Sequence, residues 1–278
     1  MGIAIRAAVI GAATVAVLGV AAPQTGRIPQ TRRAPQADQA PSPREFLDED
    51  ARSPDPEAPD EHHEFTFARA AYSGRSWGWA SWTTDYPKAD RQFLMGVKRL
   101  TRIDAYGGEH PVRLDDPDLR RFPFLYAVEV GRMSLTEPEV VALRQYLDAG
   151  GFLMVDDFWG SWEWAAFEEQ IHRVLPGRPI VDLPRDHPVF HTVYDLHEVL
   201  QVPNVRNGMT GGPYWEQDGR EPFCRGIFDE RGRLMVMINW NTDLGDAWEW
   251  AENPYYPLDR STFAYQLGIN AIVFSMTH

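Results

Sequence analysis

Apolar residues recur with two periods along most of the chain, and the two periods take turns. Residues 65–70 (Phe65-Thr66-Phe67-Ala68-Arg69-Ala70) alternate in part, which predicts a strand. After Pro87, Phe93, Leu94, Val97 and Leu100 return at helical spacing. Residues 111–114 predict a short strand. Residues 124–128 are a continuous apolar run, as in a strand covered on both faces. The next helix carries its own start signal. Thr136 and Glu139 are spaced as a capping box, and Leu135 and Val140 as a hydrophobic staple. Val140, Leu143 and Leu147 line one face, and Gly150-Gly151 ends it. A second covered strand follows at 152–155. Trp164, Phe167, Ile171 and Val174 then predict another helix, and Ile180-Val181 a strand. Apolar segments at 227–228 and 234–238 flank Asp229-Glu230-Arg231-Gly232, a hairpin signature. Phe263, Leu267 and Phe274 place a closing helix. This order predicts an α/β fold: a mostly parallel, doubly wound sheet with an antiparallel hairpin near one edge. Ligands of such sheets bind outside the carboxyl ends of the strands.

The first sixty residues follow neither period. Arg6 precedes an uncharged run rich in Ala and Val that ends at Val20-Ala21-Ala22, small residues suited to cleavage. Residues 1–22 are therefore expected to be a signal peptide. Export to the periplasm or the medium follows, with an uncleaved membrane anchor as the alternative. The run from Ala7 to Ala22 falls short of the roughly 20 residues that span a bilayer. No span is expected unless the signal stays uncleaved. From 23 to 63, Pro, Gln, Arg and acids dominate. Such a segment buries too little to offset its ordering entropy and predicts a disordered, Pro-rich tether. Residues 64–278 are expected to form a single α/β domain.

Composition narrows the chemistry. Of 278 residues, 44% are hydrophobic and the net charge is −13, so the basic footprint of a nucleic-acid binder is missing. The single cysteine, Cys224, excludes an intramolecular disulfide and a zinc-finger cluster. No phosphate loop and no Gly-x-Gly-x-x-Gly after a strand occurs, which removes the usual nucleotide cofactors. No organic cofactor is predicted, and the acids leave room for a divalent metal.

The carboxyl-edge rule selects the candidates. Asp156 and Asp157 end the strand at 152–155, where acids suit metal binding, base chemistry or hydrogen bonds to hydroxyls. Extended chain sends neighbouring side chains opposite ways, so one of the pair is expected to face the pocket. Trp159 follows them, and Ser161 is expected to cap the next helix. Asp85 and Tyr86 lie between the first strand and the first helix, at the same edge. The preceding Trp77, Trp79 and Trp82 either pack as a lid or stack on a ligand. His187 and His191 are four apart, but Pro188 stands between them and opposes a helical metal pair. Asn241 follows the last strong strand and either closes the pocket or only turns the chain.

Several of these segments occur together in a familiar order. They are Phe67-Ala68-Arg69-x-x-Tyr72, Thr84-Asp85-Tyr86-Pro87-x-Ala89-Asp90, Phe122-Pro123-Phe124-Leu125-Tyr126, Leu143-x-x-Tyr146-Leu147-x-x-Gly150-Gly151-Phe152-Leu153, Asp156-Asp157-Phe158-x-Gly160 and Asp186-His187-Pro188. The set resembles the bacterial family known as domain of unknown function 4159, over essentially residues 64–278. That family is similar to the class I glutamine amidotransferase-like fold, a flavodoxin-like sandwich, and the resemblance implies this architecture without an activity. An amidotransferase needs a cysteine on a strand–helix elbow and a later histidine. Here the elbow carries Asp156-Asp157, and the only histidine after Cys224 is His278. The leading expectation is thus an exported domain that binds a small molecule without turning it over. Carbohydrate comes first, since indole faces and carboxylates suit sugar rings and hydroxyls. The alternatives are a metal-assisted hydrolase on Asp85, Asp156, Asp157 and His187, and an envelope module that binds a protein partner.

Overall fold

The structure is a computed structural model and describes residues 63–74 and 81–278. The signal expected at 1–22, the tether up to residue 62, Trp77 and Trp79 lie outside the described residues. His63 already belongs to the folded part: its Nδ1 lies 2.9 Å from Asp104 Oδ1.

The apolar runs become strands β1 (Ala68–Ala71), β2 (His110–Arg113), β3 (Phe124–Val128), β4 (Phe152–Asp156), β5 (Val181–Asp182), β6 (Phe223–Phe228) and β7 (Leu234–Trp240). They form one sheet in the order β2-β1-β3-β4-β7-β6-β5. The five strands from β2 to β7 along that order are parallel, and β6 and β5 extend the sheet antiparallel. With β7 as the fifth parallel strand, the order is that of flavodoxin-like sheets. The central register sets Phe124 beside Phe152 and Val128 beside Asp156, so β3 and β4 end level. The first strand begins later than the alternation at 65–70 predicts. Phe65 only bridges to Ala105, and its N–H donates to Asp104 O (3.3 Å).

Among the described residues six helices cover the sheet: α1 (Lys88–Leu100), α2 (Glu137–Asp148), α3 (Gly160–Val174), α4 (Val205–Thr210), α5 (Leu244–Glu249) and α6 (Leu258–Thr277). The covered strands feed two cores by alternation. Phe124, Tyr126, Phe152 and Met154 join Phe93, Trp248 and Leu267, from α1, α5 and α6. Leu125, Ala127, Leu153 and Val155 join Leu143 and Phe167, from α2 and α3. Trp248 stacks on Phe93 at 4.1 Å, which fixes α5 against α1. The capping box forms as expected, with Thr136 N–H donating to Glu139 Oε2 (2.7 Å) and Glu139 N–H reaching Thr136 Oγ1 (3.5 Å). No helix among the described residues is long and apolar enough to cross a membrane.

Candidate functional site

The loops after β1, β3, β4 and β7 converge above the carboxyl edge, and each brings an acid. Backbone conformation marks the same place. Asp85, Glu129, Asp157, Gln217 and Asn241 all have φ between 50° and 61°, a left-handed region that residues other than glycine, Asn and Asp rarely adopt. These are all the non-glycine residues at positive φ among the described residues, and strain of this kind gathers at working sites.

Asp85 is held from below. Arg69, fully buried in β1, pairs with Asp90 and donates to Thr84 O (3.1 Å), which pins the loop. Asp85 as a residue keeps some solvent contact, yet its Oδ2 is enclosed and has no hydrogen-bond partner. Asp156 ends β4 and is fully buried. Its Oδ2 accepts from Tyr126 Oη (2.9 Å), Leu244 N (2.7 Å) and Gly245 N (3.2 Å), while Oδ1 has no partner. Burial pushes the Asp156 carboxyl up to about 7 against those donors. Asp157 does not continue the strand. Its left-handed turn ends the alternation that would have sent it away from Asp156, so both aspartates join one acidic cluster. Asp157 Oδ1 accepts from Trp159 Nε1 (3.0 Å).

The start of α5 adds the remaining groups. Asp243 caps that helix by accepting from Asp246 N (2.8 Å), and Asp246 in turn accepts from Val205 N. Burial, then the neighbouring acids, raises the carboxyls of Asp85, Asp157 and Asp243. Burial alone raises that of Asp246, against the Val205 N–H it accepts from. Burial and Asp246 bring Glu249 to about 7, and burial and Glu163 bring Glu129 to about 8. Carboxylate oxygens of Asp85, Asp157 and Asp243 lie within 4.8 Å of one another, and so do those of Asp85, Asp246 and Glu249. A cavity of about 220 Å³ opens onto Asp85, Glu129, Asp157, Asp243 and Asp246. Arg132 lines it as well and is paired with Glu163 at 2.9 Å. A larger hollow of about 690 Å³ lies at the amino edge around His110, Pro111 and Phe122. Size does not single out the working site here; the convergence of buried charge does.

The expected residues divide accordingly. Asp85, Asp157 and Trp159 line the cavity, and Asp156 stands among the acids behind it. Trp159 is 3% exposed, so its face is not offered to a ligand. Tyr86 packs on Trp82 (5.9 Å). Asn241 ties backbone together: Oδ1 accepts from Gly160 N (2.9 Å) and Nδ2 donates to Glu221 O (2.8 Å). His187 does not join the site. Its ring sits between Phe228 (5.7 Å) and Phe274 (5.6 Å), and Phe228 pairs with Leu234 at the start of β7, the opposite edge. Ser161 is not the helix cap either. Trp159 holds that position, and Ser161 bonds Asp218 through Oγ (2.7 Å) and its N–H (2.8 Å). Cys224 is buried beside Asn239, with burial raising its thiol far from the reactive range.

Glu129, Asp243, Asp246 and Glu249 were not picked out from the sequence. Glu129 follows β3 as Asp157 follows β4, so the carboxyl-edge rule applied to every strand selects it.

A family model described as Domain of unknown function (DUF4159) matches residues 66–276. No curated protein matches the chain.

Proposed function

The chain belongs to that family, and from its carboxyl-edge site we propose that it binds a hard divalent cation through which an oxygen-rich ligand is held. The observation that carries this reading is the shared position of Asp85. It stands in two carboxylate triads at once, with an enclosed oxygen that no donor satisfies. Buried carboxylates are costly unless protonated, paired or bound to metal. All-oxygen donor sets suit Mg²⁺, Ca²⁺ or Mn²⁺ rather than softer metals. A cation reached through the cavity has coordination positions left for solvent or ligand. Sugar hydroxyls are the ligand class to try first, bound by chelation rather than by stacking on Trp159. Arg6 and the apolar run after it support action outside the cytoplasm.

The test is a thermal melt of the full chain after chelator treatment, with and without each of the three cations. Binding to the native state alone adds about 2.7 kcal/mol at a hundredfold excess over Kd, which is a shift of several degrees. Melting that stays unchanged with all three cations overturns the reading.

A metal-assisted hydrolase is the second reading, and Glu129 is the observation that favours it. Glu129 faces the same cavity from the end of β3 and belongs to neither triad, which leaves it for proton transfer. Glu129→Gln is then expected to abolish turnover of a substrate found by screening while the cation still binds.

A further inference from the structure

We propose that the carboxyl edge holds two cations side by side, with Asp85 as the carboxylate shared between them. The inference rests on the cation-binding reading above and makes it more specific. Asp157 and Asp243 complete one triad with Asp85, and Asp246 and Glu249 complete the other. The two pairs do not merge into one set of mutually close oxygens, so one ion does not gather all five carboxylates at normal bond lengths. Asp85 is the member common to both, and a carboxylate has two oxygens to divide between two ions. Metal pairs bridged in this way stand about 3.5–4 Å apart.

An independent observation points the same way. Two enclosed carboxylate oxygens at this edge, Asp85 Oδ2 and Asp156 Oδ1, have no hydrogen-bond partner. Asp156 is completely buried and uses its other oxygen on the Leu244 and Gly245 N–H groups that open α5. Those same groups set Asp246 and Glu249 in place, so Asp156 orders the half of the site that the second ion needs. Charge agrees with the geometry. One divalent ion among the five ionised carboxylates leaves three negative charges uncompensated, and two ions leave one.

Calorimetric titration of the chelator-treated full chain with Mn²⁺, followed by electron paramagnetic resonance, tests the proposal. Two Mn²⁺ per chain with an exchange-coupled signal are expected. Glu249→Gln should reduce the count to one and remove the coupling. Because Glu249 is only half-buried, this variant is expected to fold, and far-UV circular dichroism checks that it does. Asp85→Asn should weaken both sites. One Mn²⁺ per wild-type chain overturns the paired centre and leaves the single-cation reading standing. No bound Mn²⁺ overturns the paired centre, and no binding of Mg²⁺ or Ca²⁺ in the same titration overturns the single-cation reading with it. Two uncoupled Mn²⁺, or two still bound to a folded Glu249→Gln chain, overturn the bridge through Asp85.

Discussion

At the scale of single residues, the site depends on how closely Asp85 approaches Gly245. A methyl group on Gly245 would lie 2.4 Å from Asp85 Oδ2, so something must shift. The side chain is the softer party, and the acid should swing out of the triads. Gly245→Ala is therefore expected to weaken cation binding about tenfold, roughly 1.4 kcal/mol, with a nearly unchanged melt in chelator. Calorimetric titration beside a melt in chelator measures both. Asp157→Asn separates charge from shape. The amide oxygen still accepts from Trp159 Nε1, but the charge beside Glu129, Asp85 and Asp156 is gone. Burial and these neighbours raise the native Asp157 pKa, so the ionised form costs stability only at higher pH. The variant should melt higher than wild type at pH ~8 in chelator, match it at pH ~4, and lose most of the cation-induced shift. Equal melts at both pH values would show that Asp157 is not crowded by charge.

At the scale of elements, long apolar runs were legible and short polar ones were not. β3 and β4 could be read because covered strands are apolar throughout, and the hairpin because its turn residues stand between two such runs. The start of α2 was legible because a capping box is chemistry at fixed spacing. α4 and α5 have six residues each, under two turns, which is too short for a helical period to emerge. That is why Asp246 and Glu249 were missed, although their helix supplies half of the acidic edge. The turn at Asp157 was missed for another reason. Alternation assumes extended backbone, and the left-handed φ of 51° comes from contacts with distant chain: Asp157 N–H donates to Thr242 O (3.2 Å), and its carbonyl accepts from Glu129 N (3.0 Å). His187 stood among the site candidates because an Asp-His-Pro turn looks the same at either edge of a sheet. The capping box also gives a control. Glu139 Oε1 accepts from Ser73 N (2.8 Å), so the start of α2 tethers the loop after β1 while lying outside the acidic cluster. Thr136→Ala should cost about 1 kcal/mol in denaturant unfolding and leave the cation-induced shift intact. Loss of cation binding in that variant would mean the site is coupled to the whole sheet edge rather than built locally.

At the scale of the whole molecule, the net charge of −13 is not spread evenly, because a group of acids is folded inward at one end of the sheet. In the native state Asp156 and Glu249 titrate at about 7 and Glu129 at about 8. In the unfolded chain such carboxyls titrate at about 4. Between these values the native state holds more protons than the unfolded state, so unfolding releases protons and stability falls as pH rises. The contribution of these groups is fully present below pH ~4 and is lost progressively up to pH ~8. A divalent cation replaces the protons: it neutralises the same carboxylates when they are ionised, and its binding strengthens with pH as proton competition fades. Denaturant unfolding of the full chain between pH 4 and 8 should therefore give two different curves. In chelator, stability should decline across this window; with saturating Mn²⁺ or Ca²⁺ the decline should flatten, and the gap between the curves should widen with pH. Other groups titrate in this range too, which makes the difference between the curves the decisive quantity. A gap that stays constant or narrows toward pH 8 would mean that the cation binds elsewhere than on these raised carboxyls.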